Sequence, residues 1–201
     1  MTSALLVVDV QNGVVADMPG RDGLVATIGR LVESARAAQR PVVWVRHADE
    51  GLVEGSGEWQ IVPELLPAEE EPIIEKHHRS AFGDTGLGDL LRGYGIERLV
   101  LVGAQSAFCV DMAGKHALAE GFDVTWVSDG HANGDQETAL GLVPDATVRA
   151  LLNRTWSSLR HPGRRVEVVP SDEVRWCSSQ SLIGGDVPAG TSVAISRGCA
   201  P

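Results

Sequence analysis

Three residues of the sequence have side chains that together could perform nucleophilic catalysis. Asp9, Lys76 and Cys109 each lie at or shortly after the end of a short apolar run. The thiolate is the reactive form of cysteine, and both the first turn of a helix and a neighbouring ammonium favour it. The sequence therefore predicts Cys109 as a nucleophile with a lowered thiol pKa, Lys76 as its neighbouring cation, and Asp9 as the carboxylate that carries the proton.

Each of these residues also has a purely structural interpretation. Asp9 could cap a strand end, Lys76 could be a solvated lysine, and Cys109 could be a small buried hydrophobe. Their joint position favours catalysis, because the carboxyl ends of parallel strands meet at one edge of a sheet, where α/β proteins bind ligands.

Six short apolar runs must supply the strands that position these side chains. Most are apolar on successive residues, which is typical of strands buried on both faces. Amphipathic stretches separate them, so the sequence predicts a three-layer α/β/α domain around a mostly parallel six-stranded sheet. The runs are Ala4–Val8, Pro41–Val45, Pro72–Ile74, Arg98–Val102, Phe122–Val127 and Val166–Val169.

Three longer stretches between the runs predict helices. Leu24–Ala38 places its apolar residues on one face, and Ala107–Glu120 is followed by Gly121, a residue suited to the end of a helix. Proline interrupts helical hydrogen bonding, so Pro144 is expected to divide the segment Glu137–Leu159 into two helices.

The length of 201 residues suits one domain, which we place at residues 1–174, followed by an extended Gly- and Ser-rich tail at 175–201. The three cysteines are Cys109, Cys177 and Cys199, and this odd number argues against a disulfide framework. Cys177 and Cys199 both lie in the predicted tail, where free thiols are expected.

The charge and the hydropathy exclude two classes of partner. A formal net charge of −10 disfavours binding to nucleic acid. No apolar run approaches the roughly 20 residues that span a bilayer, so no membrane association is predicted. The run Ala4–Val8 is too short for a signal-peptide core and lacks a basic leader, which predicts a cytoplasmic protein.

Three stretches around the candidate residues resemble motifs of the isochorismatase-like hydrolase family. The resemblance extends over about residues 4–174, and the motifs occur in the family's order. In the third motif Ser106 takes the place of the usual threonine. The stretches are Asp9-x-Gln11, Lys76 with the Ser-x-Phe…Thr-x-Leu pattern of residues 80–87, and the Gly-x-x-Thr-x-x-Cys-Val nucleophile loop at residues 103–110.

This resemblance implies a six-stranded parallel sheet between helices and a catalytic triad of Asp9, Lys76 and Cys109. It also implies a cis peptide bond between Ala104 and Gln105, and an oxyanion hole formed by the amides of Gln105 and Cys109. A small-molecule substrate and a homo-oligomer, a dimer or larger, are further implications of the family.

No metal or other cofactor is predicted. Nicotinamidases of this family carry a metal-binding Asp-x-His on the second strand, whereas this strand ends in the reverse order, His47-Ala48-Asp49. The adjacent pair His77 and His78 is interpreted as two surface histidines.

Five residues are candidates for contact with the substrate. Gln11 belongs to the first motif, and the others are aromatic residues that could form walls of a pocket. Aromatic side chains pack into cores at least as often. The aromatic candidates are Trp59, Phe82, Phe108 and Trp156.

These features predict a cysteine hydrolase that cleaves the C–N bond of a small amide, carbamoyl or lactam substrate through a thioester intermediate. Vinyl ether hydrolysis of the isochorismatase type is the enzymatic alternative, and it does not need a thiol nucleophile. A catalytically silent scaffold is the other alternative, which the intact set of Asp9, Lys76 and Cys109 disfavours.

Overall fold

Six parallel strands form the central sheet in the computed structural model, which describes residues 1–176. The predicted three-layer α/β/α fold with a six-stranded sheet is confirmed. In chain order all the strands are β1 (Ser3–Val8), β2 (Val42–His47), β3 (Ile73–Lys76), β4 (Arg98–Ala104), β5 (Asp123–Ala132), β6 (Gln136–Thr138), β7 (Gly141–Val143) and β8 (Val166–Val169). The two short strands β6 and β7 form a separate hairpin.

The spatial order of the sheet is β3-β2-β1-β4-β5-β8, and all five neighbouring pairs are parallel. The chain moves outward from β1 through β2 to β3, then returns to the other side of β1 to form β4. The strand order therefore reverses between β1 and β4. Ligands of open α/β sheets bind beyond the carboxyl ends of the strands at such a reversal.

The two faces of the sheet are covered by different helices. Helix α2 packs on one face, and α3, α4 and α5 contribute buried residues to the other. The helices are α1 (Asn12–Val15), α2 (Arg21–Ala37), α3 (Leu87–Gly93), α4 (Asp111–Ala119) and α5 (Asp145–Ser158), with a π-helical turn at Ser106–Val110 and a 3-10 turn at Ser171–Glu173.

Strand β1 supplies both cores because its side chains alternate between the two faces. Leu5 and Val7 face α2, whereas Leu6 and Val8 belong to the core beneath α3, α4 and α5. Every residue of β1 is buried. This explains the apolar run that made the strand recognisable in the sequence.

The prediction of two helices around Pro144 is wrong. Residues 136–143 form the antiparallel hairpin of β6 and β7, and a single helix, α5, follows. Pro144 has an extended backbone (ψ of 146°) and directly precedes α5. Proline is well tolerated at a helix start, because the first N–H groups have no partner within the helix.

Gly103 allows β1 and β4 to approach closely at the reversal of strand order. Its φ is +131°, and a Cβ atom there would lie 2.0 Å from the carbonyl oxygen of Val8. No residue with a Cβ fits this space. Gly103 therefore allows the end of β1, which leads into Asp9, to lie close to the end of β4, which leads toward Cys109.

The described part of the chain continues past the predicted domain boundary. Val174 is buried in the core beside α2, and the indole N–H of Trp176 donates to Ser34 Oγ at 2.8 Å. The remainder of the predicted tail, including Cys177 and Cys199, lies outside the described residues. Within residues 1–176, none of the helices has the length and apolar character needed to cross a membrane.

Candidate active site

Three different segments bring Asp9, Lys76 and Cys109 together at the carboxyl edge of the sheet. Asp9 directly follows β1, Lys76 is the last residue of β3, and Cys109 lies in the π-helical turn after β4. Lys76 Nζ is 2.7 Å from Asp9 Oδ2 and donates to Cys109 Sγ at 3.3 Å. The acid, the cation and the thiol thus form one contiguous group.

The backbone of Asp9 is left-handed, with a φ of +50°. Aspartate tolerates this conformation better than most residues, and such conformations persist at functional sites where the surrounding structure enforces them. The turn directs the carboxylate back over the sheet edge. There its side chain is only 3% exposed and that of Lys76 is fully buried.

His47 is a further contact of the Lys76 ammonium. It is the last residue of β2, and its Nδ1 lies 3.2 Å from Lys76 Nζ, while its Nε2 lies 3.0 Å from Asp49 Oδ2. An ammonium only donates, so Nδ1 is the acceptor and Nε2 carries the hydrogen donated to Asp49. The three hydrogens of Lys76 therefore have three acceptors, on Asp9, Cys109 and His47.

Burial raises the pKa of the Asp9 carboxyl above its ordinary value of 3.8, and the charge and hydrogen bond of Lys76 oppose this increase. Asp9 Oδ2 is occupied by Lys76, whereas the buried Oδ1 has no hydrogen-bond partner within the described chain. Asp9 is therefore a stronger base than an exposed aspartate, with one oxygen free to accept a proton.

The predicted lowering of the Cys109 pKa is wrong. Burial, followed by the negative charge of Asp9, raises the pKa of this thiol to about 12, and Lys76 opposes them only in part. The resting side chain is therefore a protonated thiol. A thiol in this state needs a neighbouring base before it can act as a nucleophile, and the Asp9 carboxylate is among the groups that act on it.

A cavity of about 320 Å³ opens directly onto Asp9 and Cys109. Its volume lies at the lower end of the usual range for small-molecule sites. Its lining residues are Asp9, Gly13, Val14, His47, Asp49, Gly51, Leu52, Gln105, Phe108 and Cys109. Of the five residues expected to contact the substrate, Phe108 alone belongs to this lining.

Gln11 lies behind the cavity wall and holds two loops together. Its amide donates to the carbonyl oxygens of His47 and Trp59, and its Oε1 accepts from the N–H of His47. The side chain is completely buried. It therefore positions His47, the partner of Lys76, and the structure does not bring it to the cavity.

The three remaining aromatic candidates also pack elsewhere. The guanidinium of Arg46 lies 3.4 Å from the ring centroid of Trp59. Phe82 packs in the core, with its ring centroid 6.1 Å from that of Phe122. Trp156 is a buried residue of α5, and its ring stacks on that of Trp126 with the ring centroids 4.7 Å apart.

The expected oxyanion-hole residues both border the cavity. Gln105 and Cys109 lie at the two ends of the segment that leads from β4 into the π-helical turn, and the peptide bond between Ala104 and Gln105 is cis. Assignment of an oxyanion hole to their amides stays a prediction.

In residues 1–176 there is no group of three or more His, Cys, Asp or Glu side chains suited to hold a metal ion. The reversed pair His47 and Asp49 forms a hydrogen bond within itself, and His47 also contacts Lys76. His77 and His78 are exposed, and each lies within 4 Å of a carboxylate, on Glu54 and Asp84 respectively.

Sequence reasoning missed several polar residues around the site. His47 was considered solely as half of a reversed metal motif, and His131 and Asn133 were not considered. All three lie at or immediately after the carboxyl end of a strand, as Lys76 does. That shared position is the signal that could have identified them.

Comparisons with known proteins identify the family of the chain. The profile of the Isochorismatase domain family matches residues 3–144. A streptothricin hydrolase of Streptomyces noursei is 33% identical over 175 residues, which are 83% of this chain and 68% of that protein.

Solved structures share the fold. An isochorismatase of Pseudomonas putida KT2440 aligns with a TM-score of 0.78 and 27% identity, covering 86% of this chain and 90% of its own. An isochorismatase-like hydrolase of Alkaliphilus metalliredigens aligns with a TM-score of 0.71 and 25% identity, covering 86% of this chain and 93% of its own. Because the family profile covers more than half of the sequence, the chain belongs to the isochorismatase-like family of hydrolases.

Proposed function

We propose that this protein hydrolyses the C–N bond of a small amide, carbamoyl or lactam substrate through a thioester on Cys109. One observation carries the proposal. Cys109 and Asp9 line the cavity, and behind them the buried Lys76 Nζ contacts both the Cys109 thiol and one oxygen of Asp9, whose other oxygen is buried without a hydrogen-bond partner in the described chain. A nucleophile and a base therefore adjoin one space for a substrate, with a cation in contact with both.

In the first half of the reaction the Asp9 carboxylate takes the thiol proton as Sγ attacks the carbonyl carbon. The C=O π electrons move to oxygen, and the resulting negative charge is stabilised by the amides of Gln105 and Cys109. When the carbonyl re-forms, the C–N bond breaks. The proton held by Asp9 passes to the departing nitrogen, which leaves a thioester on Cys109.

In the second half a water molecule attacks the thioester carbon, and Asp9 accepts its proton. The C–S bond breaks, the acid product leaves, and the sulfur regains a proton from Asp9. Lys76 transfers no proton in these steps, and its side chain stabilises the negative charge that moves between the carboxylate and the sulfur. These steps need no redox change and no cofactor.

The high thiol pKa supports this division of roles. A thiol with a pKa of about 12 has almost no thiolate at neutral pH. The raised pKa of Asp9 brings its basicity closer to that of the thiol, which eases proton transfer between them. The relative named streptothricin hydrolase is consistent with hydrolytic chemistry on a small molecule.

The test is a panel assay of ammonia or amine release from small amides, ureas, carbamoyl compounds and lactams. We expect release with at least one of these groups, and its loss in Cys109→Ala and Lys76→Met. The chain has only two lysines, so Lys115→Met on the surface of α4 is the matched control.

Two outcomes would contradict the proposal. Turnover of a vinyl ether that persists in Cys109→Ala would favour isochorismatase-type chemistry, which needs no thiol. Absence of turnover across the whole panel, with no acyl adduct on Cys109 in any of the reactions, would favour the silent scaffold.

A further inference from the structure

The turn that carries Cys109 is held at two successive residues by side chains from the end of β5. Ser106, its first residue, has its Oγ 2.7 Å from Nδ1 of His131. The next residue, Ala107, donates its backbone N–H to Oδ1 of Asn133 at 2.8 Å. Ser106, His131 and Asn133 are each at most 1% exposed.

Both ring nitrogens of His131 have hydrogen-bond partners. The indole N–H of Trp126 lies against two acceptors, Nε2 of His131 at 2.9 Å and Oδ1 of Asn153 at 2.8 Å, and Nε2 is 2.9 Å from that same oxygen. The amide of Asn153 is oriented by its own donation to Ser128 O at 2.9 Å. The imidazole is therefore fixed in orientation, and its Nδ1 forms a hydrogen bond with the Ser106 hydroxyl, a group that can both donate and accept.

His131 keeps this arrangement over the ordinary pH range. Burial lowers the pKa of its imidazole to about 4, against the opposing hydrogen bond of Asn153. The ring is therefore neutral at neutral pH, and the hydrogen bond between its Nδ1 and the Ser106 hydroxyl needs no protonation of the imidazole.

Asn133, which accepts the N–H of Ala107, is itself held by helix α5. The backbone N–H of Asn133 donates to Oδ1 of Asp145, the buried first residue of α5. The other carboxylate oxygen of Asp145 accepts from Nε of Arg149, one turn further along the helix. Asn133 is thus held between α5 and the turn that precedes α4.

We propose that His131 and Asn133 are positioning residues for the nucleophile, and that their two hydrogen bonds hold Sγ of Cys109 beside Lys76 and Asp9. The first N–H groups of a helix lack partners within it, and a π-helical turn is rare outside functional sites. Two external hydrogen bonds therefore select this turn over alternatives that would direct Sγ elsewhere. The proposal rests on the proposed function only for the role of Cys109 as nucleophile.

The test removes either hydrogen bond and measures Cys109 directly. Ser106→Ala deletes the hydroxyl that forms a hydrogen bond with Nδ1 of His131, Ser106→Thr restores a hydroxyl there, and Asn133→Ala removes the hydrogen bond to the N–H of Ala107. The matched control is Thr125→Val on β5, which deletes a buried hydroxyl that has no hydrogen-bond partner in the described chain.

The readouts are the rate of alkylation of folded Cys109 by iodoacetamide, kcat and KM on an active panel substrate, and the free energy of unfolding in urea. A released turn moves Cys109 away from Asp9 and toward solvent, so its pKa falls from about 12 toward that of a free thiol. Each unit by which the thiol pKa falls increases alkylation about tenfold at neutral pH. In the same variants kcat falls with little change in KM, because the transition-state geometry is lost while the cavity remains.

We expect faster alkylation in Ser106→Ala and Asn133→Ala, beyond what the unfolded fraction from the urea titration explains, and wild-type rates in Ser106→Thr and Thr125→Val. Alkylation at the wild-type rate in both alanine variants, with a change in stability alone, would overturn the proposal. The alkylation result decides it without any substrate, so it stays separable from failure of the proposed hydrolysis.

Discussion

Lys76→Met tests the electrostatics of the site without a substrate. Methionine approximates the length of lysine and removes the charge. Asp9 then loses the ion pair at 2.7 Å while its side chain stays 3% exposed. A buried ion pair that loses one partner typically costs about 3–5 kcal/mol, because the remaining charge is desolvated without compensation.

The stability lost in Lys76→Met must depend on pH. Burial already raises the pKa of Asp9 above 3.8, and the variant removes both opposing effects of Lys76, so the pKa rises further. A carboxyl with a higher pKa in the folded state binds more protons when folded. Stability is then fully present below the unfolded-state pKa and is lost as pH rises through the folded-state pKa, by up to about 1.4 kcal/mol per unit.

The assay is urea unfolding of Lys76→Met, Lys115→Met and the wild type between about pH 4 and pH 8. For Lys76→Met, the loss in free energy of unfolding relative to the wild type should be small near pH 4 and approach about 3–5 kcal/mol near pH 8. The pair Lys115–Asp111 is half exposed at the lysine, so its loss should cost about 0–1 kcal/mol. An equal, pH-independent cost in both variants would refute the reasoning.

Three further predictions follow from the geometry. Folded Cys109 should react with iodoacetamide at neutral pH up to about a thousandfold more slowly than the same residue in urea, because its thiol pKa is about 12 against an ordinary 9.0. Peptide mass spectrometry measures both alkylation rates, and faster reaction of the folded form would contradict the prediction. In the pH profile of kcat/KM, activity should fall on the acid side at a pH above the ordinary aspartate range, because Asp9 must be ionised to accept a proton and its pKa is raised. Asp9→Asn should lower turnover about 10²–10⁴-fold, and a wild-type profile that falls only at pH 3.8 would count against Asp9 as the base. Gly103→Ala should destabilise the protein by several kcal/mol or prevent folding, because its Cβ would lie 2.0 Å from Val8 O, whereas Gly23→Ala in α2, where the space is open, should stabilise it by about 1 kcal/mol. Urea unfolding compares the two variants, and wild-type stability of Gly103→Ala would show that β1 and β4 can move apart to accept the methyl group.

The sheet and the grouping of the three central residues were predictable from the sequence. Strands buried on both faces leave continuous apolar runs, and all parallel strands present their carboxyl ends at one edge. The positions of Asp9 and Lys76 directly after such runs therefore placed them correctly. Cys109 followed because the chain returns from β3 to the other side of β1.

The hairpin before α5 was hidden by helix-forming residues. Ala139 and Leu140 favour helices, but Gly141 has a φ of +107° and reverses the chain. Pro144 then marks a helix start instead of an interruption. Short exposed strands of three residues leave no hydrophobic period by which to recognise them.

The thiol pKa and the substrate contacts depend on three-dimensional burial, which local sequence does not encode. Helix position and a nearby lysine favour a thiolate, yet burial and the proximity of Asp9 outweigh them at Cys109. Gln11 and Trp156 occupy motif or aromatic positions that suit a pocket, but hydrogen bonds and stacking retain them behind its wall. His131 lies in a continuation of β5 past Val127, where the predicted strand ended.

The central claim is that Cys109 carries the acyl group during C–N bond hydrolysis. The most direct measurement is an acid quench of the enzyme turning over an active panel substrate, followed by mass spectrometry of the peptide that contains Cys109. We expect Cys109 to carry an added mass that corresponds to the substrate's acyl group, is removed by hydroxylamine and is absent from Cys109→Ala. Full-rate amine release by Cys109→Ala, with no adduct on the wild-type peptide, would contradict it.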